Sequence, residues 1–232
     1  MSPSNFVVQP HCDPIMTEAL DTQLVFVLLL NFFTLVTHRL PTAIHLVGLQ
    51  GALIGLLPLF VHTRSGHTDD IWRLLLLTVA TVFLKGIGIP RMLFYAMREV
   101  GIEKEIHPII GFVPTLLAAV VGTAVALVFS NTLPLKEQVS ELIVPAALST
   151  SFTGYLMMVT RRRALTQALG YLVLENGIFL FGLLLVEAVP FLVETGVLLD
   201  LFVGIFVMGI IIGHISRGFE SDSTQHLSSL KE

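Results

Sequence analysis

A single cysteine, Cys12, in 232 residues excludes an intramolecular disulfide framework and any cysteine-rich zinc or iron–sulfur site. Charge is scarce too. Only 13% of the chain is Asp, Glu, Lys or Arg, about half the usual share of a soluble domain. The formal charge of −4 offers no basic surface for nucleic acid. The first nineteen residues hold no Lys or Arg, so the basic n-region of a cleavable signal is missing. No nucleophile elbow, phosphate-binding loop or dinucleotide fingerprint occurs. No two histidines stand three or four residues apart, so a helical metal site is not expected.

What fills the chain instead is apolar sequence. A mean hydropathy of +0.84 with so little charge predicts an all-α, polytopic membrane helix bundle. Seven spans are expected, at about 19–38, 42–62, 70–91, 106–130, 140–160, 164–186 and 193–215, each long enough to cross a bilayer. The gaps are too short for a soluble domain, although Met97–Pro108 (MREVGIEKEIHP) forms a charged connector. The chain thus divides into an N-terminal segment, 1–18, helices one to five over 19–160, helices six and seven over 161–216, and a polar tail, 217–232.

Lys and Arg set the expected orientation. With the N-terminus outside, the inner segments hold Arg39, Arg91, Arg98, Lys104, Arg161–Arg163, Arg217 and Lys231. The outer segments hold only Arg64, Arg73 and Lys136. This bias predicts N-out, C-in and an odd number of spans.

Against that background, ionisable residues inside spans stand out. Glu175 sits at the midpoint of Ala164–Val186, a stretch with no other acid or base. A carboxylate at the centre of a bilayer costs about 2.5–3.5 kcal/mol on insertion scales, so it reads as functional by default. Asp200 is the one ionisable side chain in Thr195–Gly213. Counted along their helices, Glu175 lies about 18 Å from the inner end and Asp200 about 9 Å from the outer end of a roughly 30 Å core. Two carboxyls at similar depth on neighbouring antiparallel helices can hand a proton between them, since repulsion keeps one of them protonated. The plainer alternative is that each is a neutral acid bonded to a backbone carbonyl.

Lys85 is the one base well inside a span, followed by Gly86, Gly88 and Pro90. Pro90 removes a backbone donor and collides with the carbonyl of Gly86. A broken helix beside a lysine can line an ion site with freed carbonyls. Equally, Lys85 can snorkel to a surface roughly 9 Å away. Secondary candidates are His45 and His214, just inside apolar runs, and Tyr155 and Tyr171, which can hydrogen-bond or simply pack. Gly51, Gly55, Gly204 and Gly209 suit close helix approach, and Gly170 and Gly177 bracket Glu175.

The segment RRRALTQALGYLVLENGIFLFGLLL, with the acidic last span LVETGVLLDLFVGIFVM and the lysine-bearing FLKGIGIPRMLFYAMREV, resembles the hydrogenase-4 component E family. That family belongs to the membrane arm of energy-converting nickel–iron (NiFe) hydrogenases and related complexes. Helices five to seven also resemble small subunit K of NADH:quinone oxidoreductase. Arg161–Arg163 match its basic connector, and Asp200 to Gly204 match its acid-xxx-Gly. There is a departure: aligned on Gly170, that subunit's glutamate falls near Leu172, and Glu175 stands one turn later, about 4.5 Å along the helix.

The resemblance implies a non-redox subunit of a prokaryotic inner (cytoplasmic) membrane complex, with Glu175, Asp200 and Lys85 in a proton-translocation path. It implies no catalysis by this chain alone, in a complex of hydrogenase or formate hydrogenlyase type. The NiFe centre and the iron–sulfur clusters would lie in partner subunits. The implied partners are antiporter-like membrane subunits, a quinone-site-like membrane subunit and the hydrogenase module, within the lipid bilayer. Two alternatives stay open: a structural adaptor between antiporter-like subunits, and a small subunit of a multi-subunit cation/proton antiporter.

Overall fold

The computed structural model describes residues 14–62, 71–99, 110–133, 140–183 and Gly209. Among the described residues it is helical throughout: α1 (Pro14–Val36), α2 (Leu40–His62), α3 (Ile71–Phe83), α4 (Ile89–Glu99), α5 (Phe112–Ser130), α6 (Ile143–Thr160) and α7 (Ala164–Leu183). A π-helical turn, Leu84–Gly88, joins α3 to α4 without a break.

Among the described residues, five stretches are long and apolar enough to cross a membrane: Thr17–Val36, Leu40–Phe60, Thr78–Arg98, Phe112–Ser130 and Ile143–Thr160. They correspond to the first five expected spans. The sixth expectation, 164–186, falls on α7, a 20-residue helix whose Gln167, Glu175 and Asn176 dilute its apolar character. The seventh, 193–215, lies outside the described residues apart from Gly209, as do the N-terminal segment and the tail. The outward faces are apolar, as a bilayer requires. Trp72 is 78% exposed and Val113 77%, a surface that would drive aggregation in water.

The third span differs from its expected bounds. The expected end near residue 91 falls short: the helix runs on past Pro90 to Glu99. A proline inside an α-helix lacks a donor and presses on the carbonyl four residues back. Here the chain widens to π geometry just before it, with the Ile89 N–H donating to the Leu84 carbonyl five residues earlier. Such single π turns occur inside α-helices, frequently at functional sites.

α2 is the hub of the bundle, packed on α1, α3, the π turn, α4 and α7. α6 and α7 form an antiparallel pair joined only by Arg161–Arg163. They approach so closely that a Cβ on Gly170 would lie 2.8 Å from both Met157 Cβ and the Met158 backbone nitrogen. A Cβ on Gly154 would likewise meet α7, and one on Gly177 would meet Ser151. In a bilayer, where lipid is as apolar as leucine, small residues of this kind are what allow helices to pack.

The interior is layered. One apolar cluster gathers Leu35, Leu40, Ile44, Leu93, Met157 and Leu169. Another gathers Leu20, Leu24, Ile54, Leu57, Ile143 and Leu180. Between them every central helix turns polar: Asn31 on α1, Gln50 on α2, Lys85 on the π turn, Thr150 on α6, and Glu175 and Asn176 on α7, all buried. The two ends of the bundle also differ in charge. His38, Arg39, Arg98 and Arg161–Arg163 lie at the end with the first cluster. Glu18, Asp21 and Glu141 lie at the other, where the Ser140 hydroxyl donates to the Asp21 carboxylate.

Candidate functional site

Lys85 leaves the π turn toward α7 across the face of α2. Residue 51 has to be glycine for it to do so: a Cβ there would sit 2.9 Å from Lys85 Cβ. Having passed α2, the ammonium comes within 3.2 Å of Glu175 Oε1 and donates to Asn176 Oδ1 at 3.3 Å. The Phe179 ring lies one helical turn further along α7, its centroid 5.0 Å from Lys85 Nζ, within range of a cation–π attraction. Lys85 is 5% exposed and Glu175 7%. The lysine therefore does not snorkel to a surface; its charge is met in the middle of the bundle.

Two unit charges taken out of water are costly, and only close geometry with further hydrogen bonds offsets that cost. Lys85 and Glu175 have the contact, and Asn176 and Phe179 add to it. Two states are open to such a pair: ammonium facing carboxylate, or amine facing carboxylic acid. They differ by one proton moved across the 3.2 Å contact.

A narrow cleft adjoins the pair. Gly48, Gly51, Lys85, Pro90, Glu175 and Asn176 line its polar and backbone-exposed part, and Ile44, Val47, Ile89, Leu93 and Leu172 its apolar part. It leaves about 10 Å³ for the centre of a water molecule, about what one water needs.

A second buried polar contact lies at the same level. Gln50 Nε2 donates to Asn31 Oδ1 at 2.7 Å, and Asn31 Nδ2 donates to Thr150 Oγ1 at 2.9 Å. These bonds tie α1, α2 and α6 together. Nearby, the Thr123 and Ser149 hydroxyls share a bond of 2.7 Å between α5 and α6.

At the arginine-bearing end, Arg161 is 1% exposed. Its Nη2 donates to the Leu35 carbonyl at 2.9 Å, satisfying one of the open carbonyls in the last turn of α1. Its guanidinium lies 5.3 Å from the Phe112 ring centroid. Burial lowers the Arg161 guanidinium from its ordinary range to about 10.

Of the candidates read from the sequence, Lys85 and Glu175 are thus brought into direct contact. Asp200 and His214 lie outside the described residues. His45 is exposed on α2; its Nδ1 pairs with the Pro41 carbonyl at 2.9 Å and its ring tilts against Phe94. Tyr155 is exposed on α6, and Tyr171 is half-buried on α7. The close approaches expected at Gly51, Gly55, Gly170 and Gly177 are present. Sequence reading missed Asn176, Asn31, Gln50 and the burial of Arg161. An amide inside an apolar run was the available signal for the first three.

No family model matches the chain, and no solved structure matches it. Among curated proteins it is 30% identical over 193 residues to the uncharacterized protein Rv0085 of Mycobacterium tuberculosis, covering 82% of this chain and 85% of that one. It is 29% identical over 162 residues to hydrogenase-4 component E of Escherichia coli K12, covering 68% of this chain and 74% of that one. Hydrogenase-4 component E of Shigella flexneri matches to the same extent. The chain is thus a relative of Rv0085, and it is similar to hydrogenase-4 component E over about two thirds of its length.

Proposed function

We propose that this chain is a non-redox membrane subunit of a hydrogenase-type complex, and that Lys85 and Glu175 form a proton-exchange site inside it. The observation that carries the reading is the pair itself, 3.2 Å apart in the polar layer between two apolar clusters. Buried ionisable groups in spans are rare and mark proton relays and ion paths. Relatives bearing the name hydrogenase-4 component E support the parent complex.

In this reading the chain sits in a prokaryotic inner membrane with its arginine-bearing end toward the cytoplasm, following the positive-inside bias. Asp200 serves as a further relay acid. Metal centres reside in partner subunits, and antiporter-like membrane subunits flank this one. Charge changes during electron transfer elsewhere shift the Lys85–Glu175 balance, and the proton released or taken up moves on through neighbouring water and side chains.

The competing reading is a structural adaptor, in which the pair only clamps α7 to the π turn. The intimate α6–α7 contact at Gly154, Gly170 and Gly177 favours a rigid scaffold and gives that reading its weight. Proton flux per electron, measured on the assembled complex in proteoliposomes, separates the two. Under the exchange-site reading, Glu175→Gln and Lys85→Met each abolish coupled flux while artificial-acceptor activity and subunit composition are kept. Normal flux in an assembled Glu175→Gln complex leaves only the adaptor.

A further inference from the structure

Among the described residues, the cleft at the Lys85–Glu175 pair extends to one side of it. On α2 its lining residues run from Gly51 back to Ile44, along the π turn and α4 from Lys85 on to Leu93, and on α7 they include Leu172. All three directions lead to the same end of the bundle, the one with Arg39, Arg98 and Arg161–Arg163. From Gly51 to Ile44 is about 10 Å along the helix. Among the described residues, none that lines it lies beyond Gly51 on α2, before Lys85 on the lysine-bearing helix, or beyond Asn176 on α7.

The opposite side is packed shut. Phe179 covers the ammonium at 5.0 Å. Behind it stand Ile54, Leu57 and Leu180, each buried in the second apolar cluster. α2 and α3 close on each other there: a Cβ on Gly55 would lie 3.0 Å from Val82 and 3.3 Å from Thr81.

From this asymmetry we propose that water reaches the pair from the arginine-bearing end alone, through the gap between α2, α4 and α7. One water rests against Lys85, Glu175 and Asn176, and it exchanges past Ile44, Val47 and Leu93. The polar groups at the floor give that water two or more partners, which an isolated water in an apolar gap would lack. The apolar walls keep the gap from holding a continuous water column, so the site admits water one molecule at a time. This deepens the proton-exchange reading and rests on it: the pair would exchange its proton with one side of the membrane, and any onward transfer would have to leave sideways through the polar layer.

Radiolytic hydroxyl-radical footprinting tests the access. The full chain, in its assembled complex, is irradiated in heavy-oxygen water, and modified side chains are read by mass spectrometry. The expected result is heavy-oxygen incorporation at Val47, Leu93 and Leu172, several-fold above that at Ile54, Leu57 and Leu180. Equal labelling on the two sides, labelling of the Ile54–Leu180 side alone, or labelling of neither overturns the proposal. The footprint is read without any flux measurement. A dry cleft therefore counts against one-sided access, and intact flux in Glu175→Gln counts against proton exchange, independently of one another.

Discussion

Lys85 Nζ lies 3.2 Å from Glu175 Oε1, and the contact exists because Gly51 presents no side chain to the lysine stem. The π turn, the glycine on α2 and the acid on α7 are therefore one device. Each comes from a different helix, and each is needed for a charge to stand in the middle of an apolar bundle.

The first consequence concerns Gly51. A methyl at this position would lie 2.9 Å from Lys85 Cβ, so either α2 or the lysine-bearing helix has to shift. Overpacking of this kind typically costs about 1–3 kcal/mol. Gly51→Ala should lower the apparent Tm in lipid nanodiscs and cut coupled proton flux, and Gly51→Leu should eliminate the flux. A Gly51→Leu protein with wild-type flux would show that the lysine does not need this passage.

The pair also predicts a rescue. Removing one partner leaves a buried charge uncompensated, an effect of about 3–5 kcal/mol. Removing both and filling the space with apolar side chains is often neutral or stabilising. Lys85→Met and Glu175→Leu should each destabilise the fold, and the double variant should regain most of the loss in Tm. Flux should stay absent in all three. Additive losses in the double variant would mean that the two side chains do not interact.

Two glycines on α7 should respond in opposite ways. Gly170 meets Met157 Cβ and the Met158 backbone at 2.8 Å, whereas a Cβ on Gly182 meets nothing within 4 Å. Backbone cannot give way as a flexible side chain can. Gly170→Ala should therefore weaken the α6–α7 pair and lower Tm. Gly182→Ala should leave Tm unchanged or raise it, since alanine is favoured over glycine in a helix by about 0.5–1 kcal/mol. Equal losses at the two positions would contradict the packing described for α6 and α7.

Arg161 separates charge from packing. Its folded value of about 10 lies below the ordinary guanidinium range, so the folded chain holds that proton less tightly than the unfolded chain does. Stability from this group accordingly rises as pH climbs from about 10 toward the ordinary guanidinium value, and at neutral pH the buried charge opposes folding. Arg161→Met, which keeps bulk and removes charge, should shift stability by less than about 1 kcal/mol. Arg161→Ala, which also empties the space beside Leu35 and Phe112, should lose about 2–5 kcal/mol. If the two variants fall equally in apparent Tm, the bond to the Leu35 carbonyl outweighs the burial of charge.

Much of this arrangement was legible in the sequence. Apolar runs bounded by charge located the first five crossings, because a bilayer demands length and apolarity before anything else. Glu175 and Lys85 stood out because charges are so rare in such runs. Their contact was not legible, for a specific reason. An end near residue 91 places Lys85 about 9 Å from a surface. The π turn lets the helix continue to Glu99, which puts Lys85 about 21 Å from that end and level with Glu175. Asn31, Gln50 and Asn176 escaped notice because one amide in an apolar stretch carries no periodic signal. Their meaning appears only when separate helices bring them to a common level.

The central claim is that Glu175 changes its protonation as the complex turns over. Redox-triggered infrared difference spectroscopy on the assembled complex reads that change as a carboxylic-acid carbonyl band that rises and falls with turnover. Such a band is expected in the native complex, with its loss in Glu175→Gln and its shift in Asn176→Ala, where the pair loses a hydrogen-bonding neighbour. A carboxyl difference spectrum that is identical in the native and Glu175→Gln complexes would contradict the claim.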